Sequence, residues 1–233
     1  MEESFSFRKI TSRDQLQEAY RLRFQVYSRE CSFLKESEYP QGYETDEFDP
    51  FSAHFGAFDQ QDRMVGTVRL ILPCSSRFPI EEHCPTLEFD RSLTPRGNCA
   101  EVSRLIISKL YRRRANDGLY YEAQVEDERV EGKGGFFTRR VRPMAFGLYR
   151  AMYQESKRTG ILHWFALMEK SLWKLLNIHG LAFRPIGPEI HFWCMVTPYL
   201  ADIRNLERGV YSKFPQFLDY FMMGLEPELL PKF

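Results

Sequence analysis

Apolar residues recur at helical spacing behind Ser12, at Leu16, Ala19, Tyr20, Val26 and Tyr27, and Ser12 with Gln15 forms a plausible capping box at the start of that helix. Arg23 falls on the same stripe, three and four residues before Val26 and Tyr27, so it points toward the apolar side while Arg21 points elsewhere. Two strands follow, Ala53 to Phe58 and Met64 to Leu72, joined by the polar turn DQQDR. In the second strand Thr67, Arg69 and Ile71 share one face and Val68, Leu70 and Leu72 the other. Residues 73–98 read as irregular with a short helical turn near Ile80 to His83, and Ala100 to Ser108 as a strand with Glu101 and Ser103 on one face and Arg104 on the other.

Downstream, the pattern predicts a helix from Pro143 through Arg158 closed by Gly160, a buried strand Ile161 to Met168, and a short helix Ser171 to His179 closed by Gly180. Strands Leu181 to Ile186 and Ile190 to Val196 come next, and the tail from Tyr199 is helical in pattern and interrupted by prolines. Strands alternating with helices in this order predict one α/β domain over residues 1–233, a mixed central sheet flanked by helices, with 199–233 as a helical C-terminal extension.

Composition narrows the function. The 233 residues carry a formal net charge of zero, which argues against general nucleic-acid binding, and 43% hydrophobic residues suffice for a sizeable core. No apolar run approaches the roughly 20 residues that span a bilayer, and the N-terminus lacks a secretory pattern, so a cytoplasmic protein without a transmembrane segment is expected, with peripheral membrane contact left open. Five cysteines with no CxxC spacing suit reduced thiols.

The densest chemistry lies at Tyr43 to Asp49, YETDEFD, with His54 close behind. A calcium loop needs Gly at its sixth position, but counting from Asp46 the sixth is Phe51; no second histidine stands at a helical spacing from His54 to make a zinc pair. No metal is therefore expected. A solvated turn would explain the acidity but not the interleaved Tyr43, Phe48, Phe51 and Phe55. Arg23 and Arg69, cations on apolar faces, need carboxylate partners, and Glu44, Asp46 and Asp49 can supply them around a cleft backed by Glu101 and Arg104, leaving spare negative charge for an amine or sulfonium ligand. Glu47, out of step with the others, is left to solvent. Past the Ala100 strand, Lys109, Arg112, Arg113 and Arg114, and later Lys133, Arg139, Arg140 and Arg142, suit a phosphate-bearing ligand, an acidic partner protein or a solvated loop. The GKGG at Gly132 lacks the P-loop frame.

RFQVY at Arg23, GYETDEFD at Gly42, VGTVRLIL at Val65 and EVSRLIIS at Glu101, in this order over the first half of the chain, resemble the signature blocks of acyl-homoserine-lactone synthases and N-acyl amino acid synthases. RECSFL, RLILP and SRLIISKLYRRR further resemble the acyltransferases associated with PEP-CTERM/exosortase systems. The resemblance implies a GNAT-like fold and transfer of a fatty acyl group from an acyl carrier protein or CoA thioester, a cosubstrate with no tightly bound cofactor, to the amine of an amino acid or similar small acceptor. It implies a catalytic group of Glu101, Ser103 and Arg104, an acceptor site of Arg23, Tyr27, Glu44, Asp46, Asp49 and Arg69, and a carrier-protein or pantetheine site at Ser108, Lys109, Arg112, Arg113 and Arg114. The tryptophan that homoserine-lactone synthases carry shortly after the first block has no counterpart here, where Phe33 and Leu34 stand, which leans away from S-adenosylmethionine. Two alternatives remain: an autoinducer synthase using S-adenosylmethionine, and a non-catalytic carrier-binding module.

Overall fold

A computed structural model describes residues 5–73, 77–109 and 144–233. Eight strands form the sheet: β1 (Ser6–Lys9), β2 (Ser52–Phe58), β3 (Met64–Ile71), β4 (Cys99–Ile107), β5 (His163–Met168), β6 (Arg184–Pro185), β7 (Ile190–Phe192) and β8 (Cys194–Asp202). The order is β1-β2-β3-β4-β5-β8-β6, with β7 paired to β8. All pairs are antiparallel except β4 with β5. Six helices cover it: α1 (Arg13–Phe24), α2 (Pro79–His83), α3 (Met144–Thr159), α4 (Lys170–Ile178), α5 (Ile203–Lys213) and α6 (Pro215–Met222). The expected α/β architecture, a mixed sheet flanked by helices, is what forms.

Strand alternation sorts the two faces. Val68 and Leu70 of β3 join the main core with residues of α3, α4, α5 and α6, whereas Ile71 packs on the opposite face with Phe78 and Ile80 of the α2 region. Helix α1 lies on that second face, where Ala19 meets Phe58 and Met64. Its start is as predicted: Gln15 N–H donates to Ser12 Oγ at 3.1 Å. Beyond Phe24 the helix continues as a π-helical stretch, Gln25–Glu30, a widening common at functional sites, and this turns Tyr27 inward.

Several elements differ from the sequence pattern. Strand β1 was not expected; it pairs with β2 at the sheet edge. Ile190 to Val196 is not one strand but a tight hairpin: β7 folds back on β8 around Trp193, whose φ is 59°, with Phe192 opposite Cys194. Tyr199 to Asp202 complete β8, so the helical extension starts at Ile203, where Asp202 caps α5 through Arg204 N–H at 2.8 Å. The extension belongs to the main core through Leu206, Val210, Phe217 and Phe221. Where α5 passes the end of α4, Gly180 (φ +85°) and Gly209 meet backbone to backbone; a Cβ on Gly180 would lie 2.6 Å from the Gly209 oxygen.

Candidate active site

The site is built where β4 leaves the sheet. Its ladder with β5 runs only from Cys99 to Val102, opposite His163 to Ala166; beyond it the two strands part, and Ser103 to Ile106 have no partner on the β5 side among the described residues. At the same place the register with β3 slips by one residue between Thr67 and Arg69, and Arg104 adopts φ 55°. This is a β-bulge carried by a non-glycine residue in left-handed conformation, strained backbone of the kind that gathers at functional sites. The bulge also corrects the sequence reading of this strand. Strict alternation puts Arg104 opposite Glu101 and Ser103, but the extra residue turns it to their side, and all three line one cavity of about 290 Å³.

Behind that cavity lies a closed ion-pair cluster. The Arg23 guanidinium donates from Nε to Glu44 and from its two terminal nitrogens to Asp49, at 2.7 and 3.2 Å. Arg69 donates to Asp46 at 2.5 and 2.9 Å, to Asp49 at 2.8 Å, and through Nε to Ser103 Oγ at 3.0 Å. Arg104 donates to Glu44 at 2.9 and 3.1 Å and to Asp46 at 2.9 Å. Both Arg23 and Arg69 are 1% exposed, which is tolerable only because each finds two carboxylates. Burial alone would raise the carboxyl pKa values of Glu44, Asp46 and Asp49, yet the surrounding guanidiniums hold all three below their ordinary values. His54, 3.7 Å from Asp49, is driven down to about 4 by its burial and stays neutral.

The pairing expected among these residues is therefore realised, and any spare negative charge of the acidic run lies outside the cluster, on Glu47. Three guanidiniums meet three carboxylates, and the six charges sum to zero. Glu44 and Asp49 are sealed beneath the cavity floor; of the three carboxylates only Asp46 lines the cavity, as Arg69 and Arg104 do from the basic side. Glu47 is exposed yet stands at the cavity rim.

Glu101 has a different environment. It is buried, takes a hydrogen bond from Ile80 N–H at 2.9 Å and makes no ion pair among the described residues. Burial pushes its carboxyl up to about 7, against the opposing influence of that hydrogen bond and of Arg69 and Arg104 nearby. A carboxyl poised near neutrality at the wall of a cavity suits proton transfer.

Tyr27 closes one wall, its hydroxyl raised to about 12 by burial. The tip of the β7–β8 hairpin was missed from sequence: Trp193 stacks on Phe33 at 6.0 Å, packs on Tyr27 at 5.3 Å and covers the Arg104 guanidinium at 5.0 Å. An indole thus joins Phe33 from the far end of the chain. Its only sequence signal is the run HFWC, indistinguishable from a core strand. Leu167 and Met168 of β5 line the cavity, whereas Trp164 and the α4 residues Leu172, Leu175 and Leu176 belong to the main core. Ser108, half-buried, follows β4, its N–H donating to Val65 O at 2.8 Å, and Lys109 is exposed. Arg112, Arg113, Arg114, Lys133, Arg139, Arg140 and Arg142 lie outside the described residues. Among the described residues no group of three histidine, cysteine or acidic side chains could hold a metal ion.

A parallel strand pair that splays beside a bulge carries a known fold. Residues 22–121 match the family described as acetyltransferase (GNAT) domain. The fold is that of the GNAT acyltransferases. The matched segment contains Arg23, the acidic loop, Arg69 and all of β4, and the acyltransferase expected from the sequence agrees with it. The chain resembles TofI, solved in a ternary complex with an inhibitor and MTA, with TM-score 0.64 and 16% identity over 99% of this chain and 100% of that one. It resembles FeeM, an N-acyl amino acid synthase from uncultured soil microbes, with TM-score 0.58 and 15% identity over 91% and 97%. It also resembles BjaI, a CoA-dependent acyl-homoserine lactone synthase solved with SAM and isopentyl-CoA, with TM-score 0.59 and 19% identity over 94% and 89%. At these identities the likeness concerns the fold. No curated protein matches the chain in sequence.

Proposed function

We propose that the protein is an N-acyltransferase that moves a fatty acyl group from an acyl carrier protein or CoA thioester to the amine of an amino acid or similar small acceptor, acting in the cytoplasm. The observation that carries this reading is the buried, unpaired Glu101 at the cavity wall, beside the gap between β4 and β5. An ammonium ion must lose a proton before it attacks a thioester, and a carboxylate with a pKa raised to about 7 takes that proton near neutral pH. The tetrahedral oxyanion then faces backbone N–H groups of the bulged Ser103 to Ile106 segment, which the missing ladder leaves available. Ser103, fixed by Arg69, and Arg104, fixed by Glu44 and Asp46, hold that segment in shape. The thioester enters along the splayed strands, with Ser108, Lys109 and the basic residues after them, Arg112 to Arg114, meeting the phosphopantetheine phosphate and the acidic carrier protein. The association with PEP-CTERM/exosortase systems rests on the sequence resemblance alone.

Among the described residues no helix is long and apolar enough to cross a membrane. The test is thiol release from acyl carrier protein and CoA thioesters in the presence of small amines, with mass spectrometry of the product. Glu101→Gln should lower kcat by about 10²–10⁴-fold. Unchanged turnover in that variant would remove Glu101 as the base, and absence of transfer from every thioester would favour a carrier-binding module. One observation keeps the autoinducer-synthase reading alive: Trp193 places an indole against Phe33, so the missing tryptophan no longer counts against S-adenosylmethionine. Lactone formation from that cosubstrate would decide for it.

A further inference from the structure

The charges of the cavity wall discriminate among acceptors. Both guanidiniums that line it among the described residues, Arg69 and Arg104, are neutralised within the buried cluster by Glu44, Asp46 and Asp49, and the His83 imidazole on the lining is stacked on Phe192 at 4.2 Å. A carboxylate-bearing acceptor thus finds no uncommitted lysine or arginine there among the described residues, and its desolvation would be poorly compensated. The opposite charge is in surplus. Glu47, Glu82 and Glu169 also line the cavity, and none has an ion-pair partner among the described residues; there Glu169 receives the Cys194 thiol at 3.5 Å and the Ser171 hydroxyl at 3.4 Å. Glu101 reaches the cavity from below, 3% exposed, and among the described residues its one hydrogen bond goes to Oε2, with no donor to Oε1. Phe192 and Trp193, stacked on one another at 4.8 Å, complete the lining.

Resting on the N-acyltransferase reading, we propose that the acceptor is an amine with a second positive charge and no carboxylate, a diamine or polyamine. One ammonium gives a proton to Glu101 and the freed amine attacks the thioester carbonyl. The new C–N bond forms as the C–S bond breaks, and the thiolate leaves, taking up a proton. Thioester plus ammonium thus become amide, thiol and one released proton. The second ammonium stays at the rim, held by Glu47, Glu82 and Glu169.

Lysine and 1,5-diaminopentane differ only by the carboxylate, so they form the test pair, offered to the full-length protein with acyl carrier protein and CoA thioesters and read by thiol release and product mass. The diamine should be acylated with kcat/KM at least about tenfold above lysine, the worth of one charge-assisted contact. Replacing Glu47, Glu82 and Glu169 together by Gln should raise KM for the diamine and shrink that ratio toward one. Equal or better use of lysine, of another amino acid, or lactone formation from S-adenosylmethionine would overturn the acceptor class while leaving acyl transfer intact. No acylation of any acceptor would overturn both.

Discussion

Glu101→Gln tests the electrostatics of the site without any substrate. Folding moves this carboxyl from 4.5 to about 7, so between those values the folded protein holds a proton that the unfolded chain has released. Stability contributed by the group is therefore present below pH 4.5 and declines as pH rises, by about 3 kcal/mol at pH 8 but by less than about 1 kcal/mol at pH 5. His54 acts in the opposite sense: folding lowers it from 6.5 to about 4, so its effect is a loss of stability as pH falls through that range. Between about pH 4.5 and 6.5 the two slopes oppose one another in the wild-type protein, and burial of His163 and His179, which lowers both, adds to the His54 side. The glutamine keeps an acceptor for Ile80 N–H and does not titrate. Urea denaturation followed across pH 5 to 8 should show the variant gaining about 2–3 kcal/mol over wild type toward pH 8 and little at pH 5, with its own profile now rising with pH as His54 dictates. Parallel profiles for the two proteins would refute a carboxyl held near neutrality, and with it the case for Glu101 as base.

Arg23→Met leaves Glu44 and Asp49 buried beside one fewer cation and should cost about 3–5 kcal/mol, measured by the same denaturation. Because the pKa values of Glu44, Asp46 and Asp49 are depressed by folding, their stabilisation is present above their ordinary carboxyl values and lost below them; that acid limb should flatten in Arg23→Met, and an unchanged limb would show the cluster is not its source. Gly180→Ala forces a Cβ toward the Gly209 backbone at φ +85° and should lower stability by about 1–3 kcal/mol; a neutral effect would mean that the α4–α5 contact yields freely. Trp193→Ala uncovers the Arg104 guanidinium and opens the aromatic wall, so KM for the acceptor should rise more than kcat falls, and a loss confined to kcat would place Trp193 on the donor side.

Part of this site could be read from the chain because burial of charge is a strong local constraint. Arg23 on an apolar helical stripe and Arg69 inside an apolar strand each demand a carboxylate, and the acidic loop lies between them in sequence; all are joined in the folded chain. Strands β2, β3 and β4 were legible for a similar reason, since each buries a defined face against one of two cores. Two departures of backbone conformation were not legible. Arg104 and Trp193 both take positive φ without the glycine or asparagine that ordinarily announces it, Arg104 within an apolar strand and Trp193 in a run that reads as one. Their consequences reach the chemistry. With Arg104 on the far face, the acidic loop would hold one carboxylate more than its guanidiniums and would itself bind a cation. The bulge delivers the third guanidinium, neutralises the loop and converts it from ligand site to scaffold. The free negative charge then resides on Glu101 beneath the cavity and on Glu47, Glu82 and Glu169 around it, of which only Glu47 belongs to the acidic run. A one-residue change of register thus leaves the acceptor's counter-charges on four carboxylates, three of them outside the conspicuous acidic run.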